Sequence, residues 1–187
     1  GLGIARVNGA VVFVPHAVRG EEIDLRITKV MKTSCAGEIV KIHDPSPERM
    51  EPECPYAGKC GGCAYWHMNY EEELRAKQQK VRDALARLGG QRVEELPILA
   101  CETMLHYRNK VQYPVAPPSK IGFYRARTHE VIPVESCLIQ SEAAEKIAEG
   151  VRAWMERYAI PAYNEHTAQG WLRHLNIRTA GDESALV

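Results

Sequence analysis

Hydrophobic and polar positions near the start of the chain follow a short, strand-like rhythm. Residues 4–14 read Ile-Ala-Arg-Val-Asn-Gly-Ala-Val-Val-Phe-Val, two apolar runs about Asn8-Gly9. That dipeptide is a strong hairpin signal, because a type I′ turn needs positive φ at both central residues. Pro15 ends the second run. Arg19-Gly20 reads as a turn, and Ile23, Leu25 and Ile27 then alternate with Asp24, Arg26 and Thr28, the pattern of a half-buried strand. Another strand is expected from Ala36 to His43, closed by Asp44-Pro45-Ser46-Pro47. Four short strands in under 50 residues predict a small antiparallel barrel. A generic β-domain with no binding role fits the same pattern.

The period then changes to that of helices. Asn69 is a candidate N-cap, with Glu71, Glu72 and Glu73 in the first turn, where the helix dipole favours negative charge. Leu74, Val81, Leu85 and Leu88 share one face, expected to pack as core, and Gly89-Gly90 ends the helix. A second amphipathic helix is expected over residues 141–158. Ser141 caps it, and Ala144, Ile147, Ala148, Val151, Trp154, Met155 and Tyr158 form its apolar face. Between the helices, strands are expected on either side of a Pro114–Ser119 loop. Gly170–Arg178 and Ser184–Val187 read as strands joined by an Ala180-Gly181-Asp182 turn.

Composition narrows the function classes. The chain has 187 residues, with 24 Lys+Arg against 24 Asp+Glu, so bulk charge does not bind nucleic acid and only a local patch can. The apolar fraction of 45% and charged fraction of 26% are those of a folded protein. No run of 18 apolar residues occurs, so no membrane-spanning helix is expected. The chain begins at Gly1 already close to a strand and stops in an apolar Ala185-Leu186-Val187. These ends read as those of a piece of a longer protein.

Charge is nevertheless segregated. From Thr103 to His129 there is no Asp or Glu, while Arg108, Lys110, Lys120, Arg125 and Arg127 are interleaved with Tyr107, Tyr113, Phe123 and Tyr124. His106 and His129 flank the stretch. A second acid-free stretch, His166 to Ala180, carries Arg173, His174 and Arg178. Cations beside stackable rings suit single-stranded or looped RNA. The competing reading is a solvated strand face whose arginines pair with acids elsewhere.

Six cysteines are present: Cys35, Cys54, Cys60, Cys63, Cys101 and Cys137. Cys54, Cys60 and Cys63 form a C-x5-C-G-G-C pattern, in which Gly61 and Gly62 let the backbone wrap so that Cys60 and Cys63 address one centre. With no secretory signal, a metal centre in a reducing compartment is a better reading than a disulfide framework. Three thiolates need a fourth ligand, for which Cys137, Cys101, Cys35, His43 and His67 are candidates. Four thiolates suit zinc or an iron–sulfur cluster, and the x5 gap fits the usual zinc spacing less well. No dinucleotide fingerprint, P-loop, nucleophile elbow or H-E-x-x-H occurs, so no nucleotide-cofactor site is expected.

These segments, taken in order, resemble the RNA (uracil-5-)-methyltransferases, in particular their iron–sulfur-containing 23S ribosomal RNA branch. Gly3-Ile4-Ala5-Arg6 through Val11-Val12-Phe13-Val14-Pro15 and Gly20-Glu21 is similar to the TRAM domain, an OB-like RNA-binding barrel. Pro45-Ser46-Pro47-Glu48-Arg49, Pro52-Glu53-Cys54 and Cys60-Gly61-Gly62-Cys63 resemble that family's cluster motif. Tyr107-Arg108-Asn109-Lys110, Gly122-Phe123-Tyr124-Arg125, Arg127-Thr128-His129 and Arg173-His174-Leu175-Asn176-Ile177-Arg178 match segments of its central domain. Glu73 and Thr128 depart from the more common Gln and Ser.

The resemblance implies an α+β chain in three parts: a TRAM-like OB barrel over residues 1–48, an iron–sulfur loop and helix over 49–90, and an incomplete central α/β domain over 91–187. It implies a [4Fe-4S] cluster on Cys54, Cys60, Cys63 and Cys137, the last lying 74 positions after Cys63. It implies RNA contacts by Arg108, Lys110, Phe123, Tyr124, Arg125, Arg127, His129, Arg173, His174 and Arg178. The family uses S-adenosylmethionine. A cysteine thiolate attacks C6 of a flipped-out uridine, C5 takes the methyl group, and a base removes the C5 proton. The cofactor domain, catalytic cysteine and base would lie outside this chain, so no catalytic or S-adenosylmethionine-binding residue is expected within it. A cytoplasmic monomer acting on 23S rRNA follows from the same likeness. Alternatives are a zinc-stapled RNA-binding module, a ferredoxin-type carrier, disfavoured by the cysteine spacing, and a radical methylthiotransferase, disfavoured by the order of its parts.

Overall fold

The structure, a computed structural model, describes residues 1–94, 96–181 and 184–187. The chain divides into two compact units. One comprises Gly1–Glu53 and Ala64–Ala100; the other comprises Cys54–Cys63 and Cys101–Val187. The segment 49–90, expected as one part, is therefore shared between them.

In the first unit, β1 (Leu2–Val7), β2 (Ala10–Pro15), β3 (Glu22–Val30) and β4 (Cys35–Asp44) form one sheet in the order β1-β2-β4-β3. The β1–β2 hairpin turns at Asn8 and Gly9, with φ of 48° and 82°, as a type I′ turn requires. The sheet is not antiparallel throughout: β2 and β4 pair in parallel through Val12↔Cys35 and Phe13↔Ala36. β3 supplies the return path that makes this possible. Register shifts along β3–β4 bend that pair, and Ile27, expected to be half-buried, is exposed. Val12, Val14 and Val18 are buried beneath the sheet. The chain leaving β4 is held by Glu21, whose carboxylate accepts from Arg49 Nη2 at 2.7 Å and from the Val18 N–H at 2.8 Å.

Helix α1 (Tyr70–Arg87) starts where expected, with the Asn69 side chain accepting from the Glu72 N–H at 2.9 Å. Its apolar stripe does not form a core: Val81 is exposed, Leu88 is 89% exposed, and the helix's buried residue is Glu72. Glu72 is held by Arg75 at 2.8 Å and Arg19 at 3.3 Å. Ion pairs thus help seat the helix's first turn.

The second unit carries β5 (Lys110–Ala116), β6 (Lys120–Tyr124), β7 (Val131–Pro133), α2 (Glu142–Arg157), β8 (His174–Thr179) and β9 (Ala185–Leu186). Its sheet runs β7-β6-β5-β8-β9 with every neighbour antiparallel. It is thus an α+β arrangement and not the α/β one expected. The β5–β6 connection is too short for a parallel crossover. β5 extends through Pro114, Val115 and Ala116, which were expected in a loop.

Val111, Tyr113, Val115, Ile121, Leu175 and Ile177 pack with Ala144, Ala148 and Met155 of α2 as the core. Trp154 and Tyr158, expected on the buried face of α2, are exposed. Asp182, placed in the turn before β9, lies outside the described residues. Among the described residues no helix is long and apolar enough to cross a membrane.

Candidate functional site

Two features of the second unit carry the candidate chemistry: the cysteine loop and the outward face of the β-sheet. The loop is tethered at two points. The Gly61 N–H donates to Tyr124 O at 3.0 Å beside a Cys60–Arg125 bridge, and the Glu135 N–H donates to the Tyr56 hydroxyl at 3.2 Å. The second tether lies two residues before Cys137. Gly61 allows a close approach at the first: a Cβ there would sit 3.1 Å from Ala126 Cα and 3.2 Å from Tyr124 O, so a side chain would push the loop and strand a few tenths of an ångström apart.

Cys54, Cys60, Cys63 and Cys137 are free thiols of this unit. Burial pushes the Cys60 thiol up, and the charges of Cys63, Cys137 and Cys54 push it further, against a Gly62 N–H that donates to its Sγ at 3.3 Å. Cys137 is likewise raised by burial, with Cys63 and Cys54 adding to it and the Ile139 and Gln140 N–H groups opposing. The four thiols therefore share one electrostatic neighbourhood. In type and number they are the donor set of a thiolate-bound iron–sulfur or zinc centre. Among the described residues, no group of three or more His, Cys, Asp or Glu side chains is arranged to hold a metal ion.

The other candidate ligands are engaged elsewhere. Cys35 lies within β4 of the first unit. His43 pairs with Asp24 at 2.8 Å. His67 is buried edge-on to His16 with ring centroids 5.3 Å apart. Cys101 Sγ donates to Thr103 O.

The residues expected to contact RNA separate into three groups. Some are internally paired. Arg125 bonds Glu130 at 2.6 Å, which holds the guanidinium above and the carboxyl below their ordinary pKa values. Glu165 takes both His129 at 3.2 Å and Arg173 at 3.1 Å, and those partners lower its pKa. The Arg173 guanidinium also lies 5.1 Å from the Tyr163 ring centroid.

Others are packed. Phe123 is half-buried against Tyr113, ring centroids 5.0 Å apart, so it is not an open stacking ring. Tyr113 itself is core, and burial raises its phenol pKa. Tyr124 stacks on His129. Arg108 and His174 are half-buried.

The third group, Lys110, Arg127 and Arg178, is exposed and has no carboxylate within ion-pairing distance among the described residues. Strand alternation places residues 110, 112, 114 and 116 of β5 and 174, 176 and 178 of β8 on the face opposite the core, where Lys110, Gln112, Asn176 and Arg178 are exposed, Ala116 and His174 are half-buried and Pro114 is buried. The register sets Lys110 opposite Arg178, Gln112 opposite Asn176 and Pro114 opposite His174, while Ala116 faces Lys120 of β6. Trp171, not singled out from the sequence, is 80% exposed just before β8. Its place in an acid-free stretch was the available signal.

The comparisons with known proteins agree with this architecture. Residues 1–40 match the TRAM domain. The chain is 44% identical over 183 residues to an uncharacterized RNA methyltransferase of Clostridium tetani, covering 96% of this chain and 40% of that protein. It is 41% identical over 182 residues to one of Bacillus cereus, covering 95% of this chain and 40% of that protein. The fold is that seen in the tRNA (uracil-54, C5)-methyltransferase of Pyrococcus abyssi, solved with S-adenosyl-L-homocysteine. The TM-score is 0.67 at 24% identity, over 98% of this chain and 44% of that one. The two units thus define a TRAM-bearing α+β chain. It is similar to proteins named RNA methyltransferases, and it spans about 40% of the length of the curated relatives it matches.

Proposed function

We propose that this chain is the RNA-recognition portion of an S-adenosylmethionine-dependent RNA (uracil-5-)-methyltransferase whose substrate is 23S ribosomal RNA. The observation that carries this reading is the outward face of β5 and β8, where Lys110 and Arg178 stand side by side without carboxylate partners among the described residues. Such a face accommodates a polyanion at low cost. The likeness to named RNA methyltransferases over nearly the whole chain supports it. S-adenosylmethionine would be bound, and uracil C5 methylated, by parts of the protein outside this chain. The chain's own task is to bind and orient RNA, as a monomer in the cytoplasm.

Cys54, Cys60, Cys63 and Cys137 would hold a [4Fe-4S] cluster. Methyl transfer needs no redox step, so its part would be structural, locking the tethered loop to the segment entering α2. The same four thiols also suit a zinc ion, in which case the chain is a zinc-stapled RNA-binding module. A transfer-RNA substrate is a second reading, favoured by the substrate named for the Pyrococcus enzyme of the same fold.

The test is to incubate the full-length protein with methyl-labelled S-adenosylmethionine and unmodified 23S rRNA or tRNA, and to analyse the nucleosides. Labelled 5-methyluridine from 23S rRNA is expected. Label in tRNA alone would move the substrate to tRNA, and label in no RNA would overturn the proposal.

A further inference from the structure

The outward face of the β5–β8 pair does more than neutralise phosphate. We propose that Gln112 and Asn176 read the edge of an unpaired base in a single-stranded RNA segment that Lys110, Arg178 and Lys120 hold by its phosphates. This rests on the reading of the chain as an RNA-binding portion.

The argument begins from register. Lys110 and Arg178 are opposite one another on adjacent antiparallel strands, and both are exposed. Like charges so placed destabilise a sheet, and among the described residues no carboxylate pairs with either. Two residues along, on the same face, Gln112 is opposite Asn176, both exposed and with no side-chain hydrogen bond described for either. Each amide presents a donor and an acceptor side by side, the pairing that base edges complement. Further along, half-buried His174 lies opposite buried Pro114, and exposed Lys120 lies opposite half-buried Ala116.

The face from Lys110 to Ala116 is about 20 Å long at ~3.4 Å per residue. It therefore carries cations at both ends and amides between them. The spacing suits an extended strand whose bases are splayed and open to hydrogen bonding. It does not suit a duplex, whose base edges are recessed. A generic solvated face would pair its cations with acids, and an apolar docking face would lack the amide pair.

The test measures binding of the chain to fluorescent A, C, G and U oligomers by anisotropy across a salt series. Wild-type chain is expected to distinguish among the four. Gln112→Ala and Asn176→Ala should flatten those differences, by roughly 5-fold or more for the best oligomer, with the salt slope unchanged. Lys110→Ala and Arg178→Ala should weaken all four oligomers alike and each reduce the slope by roughly 0.7. Circular dichroism checks that these exposed substitutions leave the fold intact.

Equal wild-type affinity for the four oligomers would overturn the inference, as would base preferences that survive both amide substitutions. Either result would leave RNA binding itself standing. A wild-type chain that binds no RNA would overturn both this inference and the function it rests on.

Discussion

Lys110 and Arg178 face each other across β5 and β8, two cations in register on an exposed sheet surface. Cross-strand pairs of like charge cost up to about 1 kcal/mol. The arrangement is therefore a local stability deficit that a bound polyanion would relieve. Lys110→Thr, which keeps strand propensity and removes one charge, should raise the melting temperature of the RNA-free chain by about 1–3 °C. A lower melting temperature in thermal denaturation would mean that Lys110 has a stabilising role in the free protein.

The loop carrying Cys54, Cys60 and Cys63 is joined to the Cys137 segment by a hydrogen bond from the Glu135 N–H to the Tyr56 hydroxyl. Anaerobically purified chain should show iron and broad absorbance near the visible edge. Cys137→Ser should lose most of both and melt at least several degrees lower. One zinc per chain with no colour would support the zinc-stapled module instead.

Gln140 is fully buried, and both polar atoms of its side chain lack a partner among the described residues. An unpaired buried amide costs roughly 1–3 kcal/mol. Gln140→Met, similar in volume and apolar, should raise the melting temperature by about 2–6 °C. A drop on calorimetry would show that the amide is satisfied in the folded chain.

His67 lies buried against His16, and burial, with the nearby charges of His16 and Arg49, lowers its pKa to about 4. The unfolded chain binds a proton there near pH 6.5, and the folded chain resists it. Acidification between about pH 6.5 and 4 therefore favours unfolding. The lowered carboxyl of Glu21, paired with Arg49, acts in the same direction at the acid end of that range. Stability should be flat between about pH 7 and 8, below the range in which the raised Cys60 and Cys137 thiols count, and fall through this acid window, and His67→Phe should flatten part of the fall. A wild-type melting temperature independent of pH from 7 to 4.5 would contradict the burial argument.

Much of this was legible from residue spacing. Asn8-Gly9 turns the first hairpin because few residues besides Asn and Gly accept positive φ twice, and Asn69 caps α1 through its side-chain oxygen. Local chemistry of that kind is written in neighbouring residues. Pairings over distance were not.

The parallel contact of β2 with β4 depends on how β3 returns, which no period-2 pattern encodes. The stripe Leu74–Val81–Leu85–Leu88 looked like core because periodicity reports a face and not what covers it. For the candidate site, the acid-free stretches cover β5, β6 and β8, the strands that carry the proposed face. Arg125, His129 and Arg173 found carboxylates at Glu130 and Glu165, one just beyond and one between those stretches. Gln112 and Asn176 gained meaning only when the register set them opposite each other.

The most direct measurement is ultraviolet cross-linking of the chain to ribosomal RNA followed by mass spectrometry of the RNA-bearing peptides. The expected adducts fall on the β5 and β8 peptides around Lys110–Gln112 and Asn176–Arg178, and on the exposed ring of Trp171. Adducts confined to other surfaces, or none at all under conditions where RNA binds, would contradict the assignment of this face as the one that holds RNA.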